Sequence, residues 1–196
     1  MSVDVFGDGT VRLDRAQFVS PAGSLFASVP AAAPDGVTDF ARGLVEYRST
    51  TPSVSVADMA FSLRLEKIGD ENATGLANFI FEALDKQYEP RLNVDPTGRL
   101  YISQFDPKTS EYDEPYKAPL PLPLRSWVRV HFHVELQGAG KGTADLDVDG
   151  KRLATGVALK PTLAGGAMHA VAGVVFVRSP TSGWALHLDD LAISPK

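Results

Sequence analysis

Alternation between apolar and polar residues recurs along this whole chain, with a period of two and not the 3.6 of a helix. The clearest run covers residues 127–136, where Val128, Val130, Phe132 and Val134 alternate with polar side chains. Successive side chains of a β-strand point to opposite faces, so such a run is typical of a strand with one buried face. Roughly a dozen runs of this kind at short spacing predict an all-β fold, a sandwich or a barrel.

Turn-forming residues and prolines separate these runs. Asp149-Gly150 predicts a two-residue hairpin turn. Residues 106–125 hold five prolines, so we predict a long connection there that cannot pair within a sheet interior. A second surface connection is predicted at 20–40, with Leu25, Phe26 and Val29 tucked in. The predicted strands cover residues 11–19, 43–47, 55–67, 78–82, 91–94, 100–105, 127–136, 143–148, 151–157, 170–178 and 184–193.

Composition excludes several classes of protein. The chain has 196 residues, of which 44% are hydrophobic and none is cysteine. A chain of this length can fold without disulfides, and it can form neither a disulfide framework nor a cysteine-ligated metal site. The net charge is −5 and the lysines and arginines are scattered, so we expect no nucleic-acid partner. No apolar run approaches the ~20 residues of a membrane helix. No repeat or composition shift divides the chain, which predicts one domain over residues 1–196.

The cellular location depends on the first residues. Residues 1–9 are polar and lack the basic-then-apolar pattern of an export signal. Two alternatives stay open: a cytoplasmic protein, or an exported one whose signal lies outside this sequence. We expect export to the cell surface, the periplasm or the medium of a bacterium.

Three short motifs follow one another in the later part of the chain. Trp127-Val128-Arg129-Val130 opens a strand, Asp147-Val148-Asp149-Gly150 comes next, and Leu188-Asp189-Asp190-Leu191-Ala192-Ile193 lies near the end, after a strand with Gly173. This order resembles the concanavalin A-like lectin/glucanase superfamily, including its laminin-G-like jelly rolls, over roughly residues 41–194. The resemblance implies an all-β, two-sheet antiparallel jelly-roll sandwich. It also implies that sugars or partner proteins bind on a concave sheet or at its rim.

Enzymes of this superfamily carry characteristic strands. Laminarinase-type hydrolases have a Glu-x-Asp-x-x-Glu strand, since hydrolysis needs two carboxylates beside one bond. The comparable strand here, 78–82, holds one carboxylate, Glu82, while Glu66, Asp70 and Glu71 have the wrong spacing. The Arg-x-Glu-x-Arg, Gln-x-His and Tyr-Lys-x-Gly strands of alginate lyases find no counterpart in the sequence. These departures argue against catalysis.

Polar residues opposite the predicted core positions are the candidates for binding. If Phe79, Phe81, Leu92 and Val94 are buried, their strand neighbours point outward. Amides, charged groups and an aromatic ring suit sugar hydroxyls and the apolar faces of sugar rings. The alternative is an ordinary solvated sheet face. The candidate ligand-binding residues are Arg64, Asn78, Glu82, Arg91, Asn93 and Tyr101.

Two groups of residues are candidates for metal binding. Asp189 and Asp190 are adjacent on a strand, so one of them faces inward or occupies a bulge. In similar jelly rolls such an aspartate holds a structural calcium ion, and the alternative is a hydrogen-bonded or solvated carboxylate. His131 and His133 share one strand face with Asp145 and Asp147 of the next strand, which fits either a zinc or iron site or simple cross-strand His–Asp pairs. Beyond a possible structural calcium we expect no cofactor.

These observations favour a non-catalytic module that binds carbohydrate or mediates adhesion on an exported or surface protein. The expected partner is a polysaccharide, a glycan or a protein. Two alternatives stay open: a polysaccharide-degrading enzyme, either a glycoside hydrolase or a polysaccharide lyase, with an atypical site, and a purely structural module.

Overall fold

The computed structural model describes residues 1–31, 40–69, 74–84, 86–106, 111–161, 163–178 and 182–196. Within these ranges the chain forms fourteen strands in two antiparallel sheets of seven. Sheet A has, in spatial order, β1 (Ser2–Phe6), β4 (Phe40–Arg48), β13 (Ala167–Arg178), β6 (Thr74–Ala83), β7 (Lys86–Val94), β8 (Leu100–Asp106) and β9 (Glu111–Lys117). Sheet B has β12 (Lys151–Leu159), β11 (Lys141–Val148), β10 (Trp127–Gly138), β5 (Val56–Lys67), β14 (Trp184–Pro195), β3 (Ser24–Val29) and β2 (Thr10–Asp14).

This architecture confirms the predicted all-β, two-sheet antiparallel jelly-roll sandwich. The apolar positions of each alternating strand face the space between the sheets, where Val128, Val130, Phe132 and Val134 are buried. Phe79 of sheet A stacks on Phe132 of sheet B with 5.5 Å between ring centroids. The core therefore joins the two sheets and leaves the outer face of each free for polar side chains. In the described part of the chain, no helix has the length and apolar character needed to cross a bilayer.

Three predicted segments differ from the structure. The predicted strand 11–19 corresponds to the shorter strand β2, and β1, which belongs to the other sheet, was not predicted. The predicted connection 20–40 contains β3, which pairs with both β2 and β14. The predicted connection 106–125 contains β9, which tolerates Pro115 because it is an edge strand with one partner.

Strand β13 lies between β4 and β6, near the middle of sheet A, and contributes residues to the outer face of that sheet. His169 of β13 is opposite Arg48 of β4 and Ile80 of β6. A side chain at Gly173 would place its Cβ 2.5 Å from the carbonyl oxygen of Gly43, and the φ of Gly173 is +141°. Only glycine allows β13 to approach β4 this closely at that conformation.

Candidate functional site

A groove runs along the outer face of sheet A, and we call it the sheet A groove. It consists of two adjoining cavities of about 410 and 460 Å³. Asn78, Arg91, Tyr112 and Phe176 line both cavities and form the centre of the groove. Its walls and floor come from β1, β4, β13, β6, β7, β8 and β9, so strands from every part of the chain contribute.

The floor of the groove is partly apolar. Leu44, Val171 and Val175 form a small buried cluster on the outer face of sheet A, separate from the core between the sheets. Phe176 follows at a register shift in β13 and is 45% exposed. An apolar floor with polar walls fits the two kinds of surface that a sugar ring presents.

His169 borders one end of the groove, next to the lining residues Glu46 and Arg48, and has a carboxylate on each side. Its Nδ1 is 3.5 Å from Oε1 of Glu46, and its Nε2 is 4.0 Å from Oε2 of Glu82. Oε1 of Glu46 also accepts a hydrogen bond of 2.9 Å from Nε of Arg48. The other three histidines of the chain lie on strands of sheet B, so His169 is the imidazole of this groove. Arg48, Glu46 and His169 thus form a row across the β4–β13 pair.

Asn78 lies beside this row, since it pairs with Val171 of β13. The residue is 5% exposed, and its Oδ1 is buried and has no hydrogen-bond partner among the residues that the structure describes. Buried polar atoms nearly always have a partner, and an exception calls for an explanation in terms of strain, catalysis or a missing ligand.

Arg91 organises the centre of the groove. Its guanidinium lies 5.4 Å from the ring centroid of Phe105 and 5.1 Å from that of Tyr112. Nη1 donates a hydrogen bond of 2.7 Å to the hydroxyl of Tyr112, and Nη2 pairs with Glu89. This packing holds the half-exposed ring of Tyr112 as a fixed wall of the groove.

The far end of the groove carries neutral hydrogen-bonding groups. Nδ2 of Asn93 donates to Oγ of Ser103 at 2.8 Å. Burial, with the nearby charge of Glu114, raises the pKa of Tyr101 to about 12. The Tyr101 hydroxyl therefore keeps its proton over the physiological pH range and can donate a hydrogen bond.

Five of the six predicted ligand-binding residues, Asn78, Glu82, Arg91, Asn93 and Tyr101, lie on strands of sheet A, and all but Glu82 line the groove. The placement of Arg64 on this face is wrong. Arg64 lies on β5 of sheet B, where it pairs with Glu66. Its strand alternates as predicted, but alternation does not say to which sheet a strand belongs. Asp70 and Glu71 lie outside the described residues.

Sequence reasoning missed Glu46, Arg48, His169 and Tyr112. One signal was available: β4 reads Leu44-Val45-Glu46-Tyr47-Arg48, which matches two of the three residues of the Arg-x-Glu-x-Arg strand of alginate lyases. Leu44 replaces the first arginine. Tyr112 had no such signal, because the segment that carries it resembles a proline-rich loop.

Asp189 and Asp190 lie at a register shift of β14. The Asp189 carboxylate accepts hydrogen bonds from the backbone N–H groups of Val19, Ser20 and Asp190 at 2.7–2.8 Å, and from the Ser20 hydroxyl at 2.8 Å. Burial opposes ionisation of Asp189, but these donors outweigh it and lower its pKa. Hydrogen-bond donors, and not the oxygen ligands that calcium prefers, surround this carboxylate. Asp190 is exposed.

The two histidines of β10 both contact Asp58 of β5, a carboxylate that the sequence analysis did not include among their partners. Asp58 of β5 is 3.1 Å from Nε2 of His131 and 2.8 Å from Nδ1 of His133, while Asp147 of β11 is 3.5 Å from His131. These are cross-strand His–Asp pairs on the outer face of sheet B. Among the described residues no group of three or more potential ligands is arranged to hold a metal ion.

No protein-family profile and no curated protein matches the sequence, but solved structures match the fold over most of their length. The endo-β-1,4-glucuronan lyase from the fungus Trichoderma reesei has a TM-score of 0.75 at 13% identity, covering 100% of this chain and 90% of that one. The marine PL-14 alginate lyase from Aplysia kurodai has a TM-score of 0.67 at 11% identity, covering 95% and 87%. The cellulose-induced protein Cip1 has a TM-score of 0.63 at 16% identity, covering 97% and 88%.

These similarities establish the fold, a jelly-roll sandwich that this chain shares with polysaccharide lyases. The predicted resemblance is confirmed for the fold alone, and membership of the concanavalin A-like superfamily, with its laminin-G-like part, stays a prediction. The expectation of a non-catalytic binding or adhesion module is wrong, because structures that share this fold almost end to end are enzymes that cleave glucuronan or alginate. The alternative of a polysaccharide-degrading enzyme fits these findings better.

Proposed function

We propose that this protein is a polysaccharide lyase that cleaves a uronic-acid-containing polysaccharide by β-elimination in the sheet A groove. The observation that carries the proposal is the row of Arg48, Glu46 and His169 on the groove face, with Asn78 beside it. The enzymes with the same fold support it, since their reactions belong to this class.

β-Elimination needs a base at the C5–H of a uronosyl unit and a partner for its carboxyl group. The base takes the C5 proton, the C4–C5 double bond forms, the C4–O4 bond breaks, and O4 takes up a proton. His169 is the imidazole on this face, and an imidazole can take up and release a proton near neutral pH. Glu46 lies beside Nδ1, where it favours the tautomer with a proton on that atom and a free lone pair on Nε2.

The carboxyl group of the substrate needs stabilisation as C5 loses its proton. The Arg48 side chain is 68% exposed, so its free N–H groups can reach a ligand. Asn78 contributes an amide whose Nδ2 can donate to this carboxyl group, whereas its Oδ1 can only accept, for example from a sugar hydroxyl. Donors positioned where charge develops are typically worth a factor of about 10²–10³ in rate. Sugars on either side of the cleaved bond would contact Tyr112, Arg91 and Asn93.

Hydrolysis is a second candidate function, which one observation favours. Glu46 and Glu82 lie on opposite sides of the His169 ring. Inverting glycosidases use two carboxylates about 6.5–9.5 Å apart, which leaves room for the attacking water. The two candidates differ in product, since only elimination creates an unsaturated sugar end.

The test is incubation with a panel of uronans, both as free acids and as methyl esters, followed by measurement of ultraviolet absorbance and reducing ends. We expect both signals to rise together. His169→Gln should lower the rate at least about a hundredfold, the size of a lost general base. His131→Gln, on the outer face of sheet B, is the matched control and should keep the rate. Reducing ends without absorbance, lost in Glu82→Gln, would establish hydrolysis instead.

The partner and the location follow from this proposal. A polysaccharide too large to enter a cell must be met outside it, so the proposal favours export. Fractionating the natural host with an antibody to this chain would test it, and finding the protein only in the cytoplasm would contradict it.

A further inference from the structure

Every arginine that lines the sheet A groove is already paired with a carboxylate. Arg42 lies 2.7 Å from Asp4, Arg48 lies 2.9 Å from Glu46, and Arg91 pairs with Glu89. With Glu114, the lining residues comprise three cations and four carboxylates.

The charged side chains at the ends of the groove are likewise paired cations or additional carboxylates. Lys117, opposite Tyr101 on the neighbouring strand, lies 2.7 Å from Asp95. Glu82 adds another carboxylate beside His169, and no cation pairs with Glu114 among the side chains that the structure describes. The described face of sheet A thus offers no unpaired cation, and its carboxylates outnumber its cations.

A fully ionised polyuronate carries a negative charge on every sugar. Sites that attract polyanions present an excess of positive charge, which raises the local ligand concentration. In the sheet A groove carboxylates outnumber cations. The groove would therefore repel the successive carboxylates of a polyuronate. Apart from the remaining N–H groups of Arg48, which the proposed mechanism places at the cleaved unit, the polar lining is neutral, with Asn78, Asn93, Ser103 and the Tyr101 hydroxyl among its members.

We infer that the groove takes a uronan of low charge, in which the carboxyl groups are esterified or are separated by neutral sugars. This inference rests on the proposed function and names its substrate class. Elimination is compatible with it, because an ester carbonyl acidifies the C5–H without a negative charge that the site must neutralise. The same bonds form and break, and the ester is retained in the product.

The experiment compares each polymer with its own uncharged form: polygalacturonate and glucuronan, each as the free acid and as the methyl ester. A polymer in which uronates alternate with neutral sugars is the third arm. Initial rates come from the absorbance of the new double bond at low and high salt. We expect the ester to be cleaved at least tenfold faster than the acid. Salt should raise the rate on the acid, because it screens repulsion, and leave the rate on the ester unchanged.

Glu114→Gln tests the cause directly. Removing this charge should raise the rate on the free acid severalfold relative to the rate on the ester. Glu135→Gln, on β10 of sheet B, is the matched control and should change neither rate. If the alternating polymer and the ester are cleaved at comparable rates, then separating the charges by neutral sugars is enough to make a uronan a substrate. Faster cleavage of the free acid, weakened by salt, would overturn the inference and leave the proposed function standing. Absence of cleavage in all arms would overturn both.

Discussion

At the scale of single residues, the two most informative side chains are Asn78 and Asp189, since they show opposite states of a buried polar group. The Asp189 carboxylate accepts four hydrogen bonds, two on each oxygen. Asn78 has a buried amide oxygen with no hydrogen-bond partner in the described part of the chain. A satisfied group stabilises the fold, whereas an unsatisfied one costs about 1–3 kcal/mol. Such a cost at the centre of a groove is expected where a protein gives up stability for function.

Asn78→Leu should separate stability from activity. Leucine has nearly the shape of asparagine and no unsatisfied oxygen, so we expect the free energy of unfolding to stay equal or to rise by up to about 1 kcal/mol. Cleavage of the polysaccharide should fall at least tenfold. Asn93→Leu is the matched control, because it breaks the bond to Ser103 and should lower stability by about 1 kcal/mol. Denaturant melts measure the stability of both variants. A loss of stability in Asn78→Leu would contradict the interpretation of Asn78 as an unsatisfied polar group.

Asp189→Asn should destabilise the protein by about 2–3 kcal/mol, because hydrogen bonds to a charged acceptor are lost. The carboxylate has a lowered pKa in the folded state, so its contribution is present above about pH 4 and is lost as the pH falls below that value. A chelator should leave the melting temperature of the unaltered protein unchanged. A drop in melting temperature that calcium reverses would show that Asp189 or Asp190 holds an ion after all.

At the scale of elements, β9 and β13 decide the chemistry of the groove. β9 brings Tyr112 to the edge of sheet A, where it packs against Arg91. The register shift in β13 between Val174 and Val177 lets Val175 and Phe176 both line the groove, as an extra residue in a bulge does. Neither feature follows from strict alternation.

Strand β10 gives the sharpest test of the assignment of faces. Phe132 is fully buried and stacks on Phe79, so Phe132→Ala should cost about 3–5 kcal/mol. His131, on the opposite face, has a side chain that is 41% exposed. His131→Ala loses only its contacts with Asp58 and Asp147 and should cost at most about 1 kcal/mol. Denaturant melts of both variants measure these losses of stability. A larger loss of stability in His131→Ala would mean that the buried and exposed faces of β10 are assigned the wrong way round.

At the scale of the whole molecule, one apolar core lies between the two sheets and includes residues from both. Half of the described pairings join strands that are not consecutive in the sequence, such as β4 with β13 and β5 with β14. Neither sheet can form alone without exposing its apolar face, so the sheets should fold together.

We therefore expect one cooperative unfolding transition for residues 1–196, as the predicted single domain requires. Far-ultraviolet circular dichroism reports on all strands, and tryptophan fluorescence reports on Trp127 and Trp184 of sheet B. The two transitions should coincide in denaturant. Separate midpoints would show that the chain unfolds in parts and would contradict a single domain.

Local pattern determined much of this protein. Alternation predicted most of the strands and the buried face of β10, because the direction of a side chain on a strand depends only on its neighbours in the sequence. For the same reason, alternation placed the six proposed binding residues on the polar faces of their strands, but it did not decide that five of them share sheet A. Arg64 was misplaced, because alternation within β5 says nothing about which sheet β5 joins.

The tertiary structure alone decided the rest. Glu46, Glu82 and His169 come from three strands that are distant in the sequence, and they meet only because β13 pairs with β4 on one side and β6 on the other. Among the arginines that line the groove, Arg42 pairs with Asp4 of another strand, whereas Arg48–Glu46 and Arg91–Glu89 each lie two residues apart on one strand. Strand order depends on how two apolar faces can be buried against each other, which is a property of the whole chain and not of any segment.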